Sequence, residues 1–147
     1  MAIEITICEK ADATVVQALG ELMPQLSQSA PPPTEEEITE IINHDAATLL
    51  LAREGENILG SMTLILFPIP TGLRAWIEDV VVDEKCRGRG VGEALNRRAI
   101  ELALAAGAKS IDLTSRPSRS AANRLYQRLG FVARETNIYR YEARTIE

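Results

Sequence analysis

A block of three valines, Val80-Val81-Val82, runs through a short polar link into Arg87-Gly88-Arg89-Gly90-Val91-Gly92, and an amphipathic stretch follows from about Val91 to Ala106. The β-branched block predicts a strand buried on both faces. Three glycines at alternate positions remove side chains where backbone must approach a ligand, and the first turn of the next helix presents N–H groups to an anion. The loop therefore reads as a phosphate cradle. It is neither the Gly-x-Gly-x-x-Gly dinucleotide fingerprint nor a nucleoside triphosphate loop, since the Gly-Lys-Ser/Thr end is missing. A further strand, Ser110 to Ser115, follows the Gly107 stop. Strand, helix and strand in that order predict a right-handed parallel unit inside a mixed sheet.

The remainder of the chain supplies antiparallel strands and helices. Ile3, Ile5 and Ile7 alternate with Glu4 and Thr6, which predicts an opening strand. Asp12 caps a helix carrying Val15, Val16, Leu19, Leu22, Met23 and Leu26 at helical spacing, and the proline run Pro31 to Pro33 ends the loop after it. Thr34 and Glu37 form a capping box for a short helix to about Asn43. Ala47 to Glu54 and Ile58 to Ile69 flank Gly55-Glu56-Asn57 as a hairpin, and Ala75 to Asp83 forms the next strand. A helix from about Ser120 to Leu129 and a final β region from Phe131 to Tyr141 complete the map.

At 147 residues, 46% hydrophobic and 25% charged, the chain is expected to be one domain spanning 1–147. Its most apolar segment, Ile58 to Pro70, is interrupted by Gly60, Ser61 and two prolines, so no membrane helix is expected. No basic segment leads into an apolar one at the start, and the expected location is cytoplasmic. Cys8 and Cys86 lie 78 positions apart in no metal-type pair, so reduced thiols and no bound metal are expected. Residues 1–73 carry 2 basic and 11 acidic side chains, a balance of −9, whereas 74–147 carry 14 and 10, a balance of +4. With a total of −5, long nucleic acid is a poor partner and a small anionic cofactor a good one.

The segment from Val82 to Gly92 resembles the first signature of the GNAT superfamily of acetyl-CoA-dependent N-acetyltransferases, Arg/Gln-x-x-Gly-x-Gly/Ala after a valine-ended strand. Ala122-Asn123-Arg124-Leu125-Tyr126-Gln127-Arg128-Leu129-Gly130-Phe131 is similar to the second, Ala-x-x-Leu-Tyr-x-x-x-Gly-Phe. The resemblance implies an α/β (α+β) fold with a mostly antiparallel twisted sheet of about six to seven strands and about four helices around a central β-α-β cofactor unit. It implies acetyl-CoA as cosubstrate, with the backbone of Val80 and Val82 pairing with the pantetheine arm. The residues Arg87, Gly88, Arg89, Gly90, Val91 and Gly92 would hold the pyrophosphate. Tyr126 would give a proton to the departing coenzyme A thiolate, and Asn123 shares its helix face. Where many members carry Asn seven residues before the tyrosine this chain has Arg119, and Asn123 is the chosen cofactor contact, with Arg119 as the alternative.

An amine attacks a thioester only when neutral, so a carboxylate or an ordered water must take its proton. Glu78 is the chosen group, with Asp79 and water as alternatives, and adjacent strand residues point to opposite sides. Trp76, Glu78, Val80 and Val82 share one side unless a bulge intervenes. The acceptor is expected at Leu22 to Asp45, where the acidic excess would suit a cationic amine or peptide N-terminus. His44, at a helix end, has no assigned catalytic role. The function expected is acetyl transfer to a small-molecule or peptide amine in a ternary complex, without nucleic acid or membrane. The alternative is a catalytically silent acetyl-CoA sensor or scaffold. Edge strands in the terminal β region would allow a homodimer.

Overall fold

Hydrophobic periodicity becomes one sheet covered by helices on both faces in the computed structural model, which describes residues 2–143. The elements are β1 (Glu4–Ile7), α1 (Ala13–Leu26), α2 (Glu35–Asn43), β2 (Ala47–Glu54), β3 (Asn57–Ile69), β4 (Gly72–Val82), a 3₁₀ turn (Glu84–Cys86), α3 (Val91–Ala105), β5 (Ile111–Asp112) and α4 (Ser120–Arg128). The sheet order is β1-β2-β3-β4-β5, antiparallel throughout except for the parallel β4–β5 pair across α3. This is the mixed, mostly antiparallel α+β class expected from the sequence. The chain divides into two units, 1–114 with the whole sheet and a second beginning at Ser115 with α4.

The predicted caps form as read. Asp12 accepts from the Val15 backbone N–H at 2.9 Å, and Thr34 and Glu37 bond each other's backbone N–H at 3.1 and 3.0 Å. Four successive β2 residues, Leu49 to Ala52, are buried, which requires cover on both sides of the strand. Leu49 and Leu51 join Val15, Leu19, Leu22, Ile38 and Val81 in the core beneath α1 and α2. Ile38 is wholly buried, and removing such a side chain from water stabilises the fold by about 1.5–3 kcal/mol. Leu50 and Ala52 alternate to the opposite face, where α3 packs on β2, β3 and β4.

Two expectations need correction. The strand expected over Ser110 to Ser115 is paired only at Ile111 and Asp112. The β region expected over Phe131 to Tyr141 forms no strand among the described residues, so the sheet there has five strands and not six to seven. β-prone residues make a strand only where a neighbour takes up the hydrogen bonds, and this stretch joins no ladder among the described residues. Val132, Ile138, Tyr139 and Tyr141 are accordingly exposed, and the proposed dimer strand is absent from this segment.

Candidate active site

The pairing of β3 with β4 slips at one place. Glu78 lies opposite Thr63 and Val81 opposite Ser61, so Asp79 and Val80 together face Met62. This is a β-bulge, and Asp79 takes the left-handed conformation there, with φ 52°. Among the described residues it is the sole non-glycine with positive φ. Such backbone costs on the order of 1–3 kcal/mol and is held by its surroundings. Before the bulge Trp76 and Glu78 share a face, and Trp76 Nε1 donates to Glu78 Oε1 at 2.6 Å. After it Val81 enters the core under α1 and α2, so Val80 and Val82 no longer share the face of Glu78.

Beyond Trp76 the other edge of β4 also changes. The parallel ladder with β5 consists of Ala75 with Ile111 and Trp76 with Asp112, and Ile77 to Val82 carry no second strand. An extended guest can pair with such an edge through the main chain. The strand then leads directly into the cradle. Asp83 accepts from the Lys85 and Cys86 N–H groups, and Gln25 Oε1 accepts from the Glu84 N–H at 2.9 Å, tying the end of α1 to the turn. Gly88 and Gly90 have φ of 80° and 79°, and no heavy atom lies within 4 Å of where a Cβ would stand on either. The loop is thus left-handed at two points with open space beside it. Gly90 caps α3 without any side-chain bond, so the helix start keeps its positive dipole end for an anion.

The two cradle arginines differ. Arg89 is paired with the Glu54 carboxylate at the end of β2, a contact between residues 35 apart that no local pattern signals. Gly60 was also missed. A Cβ there would lie 2.8 Å from the Val81 carbonyl oxygen and 3.1 Å from Val91 Cγ1, so this glycine allows α3 to sit close on the sheet.

A cavity of about 330 Å³ lies on the α1 and α2 face of the sheet and reaches the bulge. Its apolar wall includes Leu19, Met23, Pro31, Pro33, Ile38 and Leu49, while Ser61, Thr63 and Asp79 supply polar atoms. Ser61 is 1% exposed, and its hydroxyl has no hydrogen-bond partner. The Asp79 carboxyl is raised above the ordinary aspartate range, chiefly by desolvation against this wall and secondarily by the charge of Glu78. Glu78 does not line the cavity, and its carboxylate is held by the Trp76 indole.

In the second unit, Tyr126 is buried on α4 and meets Phe131 edge to face, with ring centroids 5.9 Å apart. Burial raises its phenol above the usual value, and Arg119 opposes that shift. Asn123 donates from Nδ2 to the Arg116 carbonyl at 3.0 Å, which occupies its amide within the same unit. Among the described residues no group of three or more His, Cys, Asp or Glu is placed to hold a metal, and no helix is long and apolar enough to cross a membrane.

The acetyltransferase (GNAT) family model matches residues 15–131, and the chain belongs to that family. Glucosamine 6-phosphate N-acetyltransferase 1 of Oryza sativa subsp. japonica is 32% identical over 101 residues, covering 69% of this chain and 57% of that protein. An N-alpha-acetyltransferase of Arabidopsis thaliana is 37% identical over 68 residues, 46% of this chain and 35% of that one. The chain therefore spans about a third to somewhat over half the length of these two relatives. A putative acetyltransferase from Agrobacterium tumefaciens superposes with a TM-score of 0.82 at 27% identity, covering 95% of this chain and 99% of that one.

Proposed function

We propose that this chain transfers an acetyl group from acetyl-CoA to an amine by direct attack in a ternary complex. The observation that carries the reading is continuous. A bulged strand with a free edge, Ile77 to Val82, runs into a left-handed glycine loop and an uncapped helix start, inside the segment matched by the family model.

The free edge fits an extended amide-bearing arm at Val80 and Val82, and the loop from Arg87 to Gly92 fits a pyrophosphate. Arg89, oriented by Glu54, would face that anion with Arg87. Acetyl-CoA supplies the activated acyl group as the thioester. The amine loses a proton to Asp79, favoured over Glu78 because Asp79 lines the cavity and Glu78 bonds Trp76. As the C–N bond forms, a backbone N–H near Val80 stabilises negative charge on the carbonyl oxygen. When the C–S bond breaks, Tyr126 would supply the proton for the thiolate, the role that the family resemblance implies for it, and would regain one from the proton that the new amide nitrogen releases. The phenol is protonated at neutral pH, and burial, which raises its pKa, keeps it so while making it a weaker acid.

Isothermal titration of acetyl-CoA into the purified protein, with thiol release on a panel of amines, tests the reading. Micromolar binding with amine-dependent release is the expected result. Absence of binding overturns it, and binding without release on any amine would make the chain a silent acetyl-CoA module.

A further inference from the structure

The cavity beside Asp79 carries more information about the acceptor than the net charge of the surrounding sequence does. Glu35, Glu36, Glu37 and Glu40 on α2 are exposed and none of them lines it. Their excess charge belongs to helix initiation and solvent, not to the cavity. Nine of the thirteen lining residues are apolar, Asp79 is the one ionisable group, and no Lys, Arg or His is present. A sugar phosphate would bring a dianion into a space without a cation. The first 73 residues hold just Lys10 and Arg53 as basic side chains, and Arg53 donates to Thr6 Oγ1.

Two polar features converge on one end. Ser61 is part of the lining, and its hydroxyl is buried without a hydrogen-bond partner, a cost that a ligand's hydrogen bond would relieve. Asp79 joins it through the bulge that turns the strand there. At about 330 Å³ the cavity is at the small end of the roughly 300–1,000 Å³ typical of small-molecule sites. Pro31 and Pro33 on one wall have fixed φ, which limits the shapes that wall can take.

Resting on the acetyl-transfer reading above, we infer that the acceptor is a primary amine borne on a compact apolar group. Its nitrogen sits at Ser61 and Asp79, and its branched aliphatic or aromatic body lies against Leu19, Met23 and Ile38. A free amine and the N-terminus of a peptide beginning with an apolar residue share this chemistry. A polyhydroxylated or phosphorylated amino sugar does not.

The test uses the purified full chain with acetyl-CoA and follows thiol release with isopentylamine, phenethylamine, ethylamine, a Leu-initiated tripeptide, an Asp-initiated tripeptide, glucosamine and glucosamine 6-phosphate. The apolar amines or the Leu tripeptide should exceed the sugars and the Asp tripeptide by about tenfold or more in kcat/KM. Whichever of the two apolar sources is faster identifies the natural one. Preference for glucosamine 6-phosphate or the Asp tripeptide overturns this inference and leaves acetyl transfer standing. Failure to bind acetyl-CoA, or binding without release on any amine, overturns both.

Two variants probe the cavity itself, with circular dichroism to verify folding and titration to verify that acetyl-CoA affinity is retained. Ser61→Ala should raise the amine KM roughly five- to tenfold with kcat little changed. Met23→Trp should narrow the space and move the preference from phenethylamine toward ethylamine by about tenfold. Folded variants that keep the wild-type KM and ranking overturn the assignment of the cavity.

Discussion

Asp79 concentrates strain, charge and position in one residue, and its two consequences oppose each other. Asp79→Asn should lower kcat/KM by about 10²–10⁴ and abolish the acid limb of the pH profile, which in the wild type lies above the ordinary aspartate value of 3.8. Glu78→Gln should leave that limb in place, and an equal loss in both variants would move the base assignment. Stability should change the other way. A raised carboxyl pKa in the folded chain favours folding in acid, and the favourable contribution fades as pH rises from about 3.9 through the raised value. Asp79→Asn removes the cost of holding a partly desolvated charge, and asparagine tolerates left-handed backbone. The variant should therefore be the more stable protein in urea at pH 7, with the difference vanishing near pH 3. Tyr126→Phe is a separate residue-scale test. The edge contact with Phe131 needs only the ring, so folding should persist while kcat falls by about tenfold or more, which thiol release would measure.

At the scale of elements, the junction of α3 with the sheet is tighter than its sequence announces. Gly60→Ala would place a methyl group against the Val81 backbone and the Val91 side chain, and a loss of about 1–3 kcal/mol in chemical denaturation is expected. Thr34→Ala should cost about 1 kcal/mol by removing half of the capping box. The capping box was legible because Thr34 and Glu37 act across three residues, and the helices were legible because their apolar spacing is local. The glycine loop and the helix start could be read for the same reason, since Gly88, Gly90 and the start of α3 at Val91 lie within four residues. A bulge on this strand was allowed for, but its place was not legible. It arises from how β4 pairs with β3, and nothing in Glu78-Asp79-Val80 states that Met62 will face two residues. Gly60 and the Glu54–Arg89 pair escaped likewise, because their partners lie far along the chain. The terminal segment failed in the opposite direction. A β region was expected there, yet β-prone residues alone supply no partner for the backbone.

For the molecule as a whole, the proposed acetyl-CoA binding would link to folding through the unladdered part of β4. Acetyl-CoA at about 100 times its Kd should raise the melting temperature by roughly 5–10 °C. Amide hydrogen exchange should slow most at Ile77 to Val82 and at the start of α3, and uniform protection elsewhere would contradict the edge-pairing reading. Separation of roles along the chain follows too. The cavity draws on α1, the loop after it, α2, Leu49 of β2 and the middle of β3, whereas the expected cradle is 87–92, and the bulged strand reaches both. The edge that invites a guest also has no means of choosing one. Six residues ending in three valines, short of one ladder, can pair with the same six on a neighbouring molecule. If acetyl-CoA is that guest, as proposed, colloidal behaviour would depend on its supply. Protein purified without acetyl-CoA should then scatter more light on concentration than protein kept with it, and equal scattering would count against the proposed pairing at this edge.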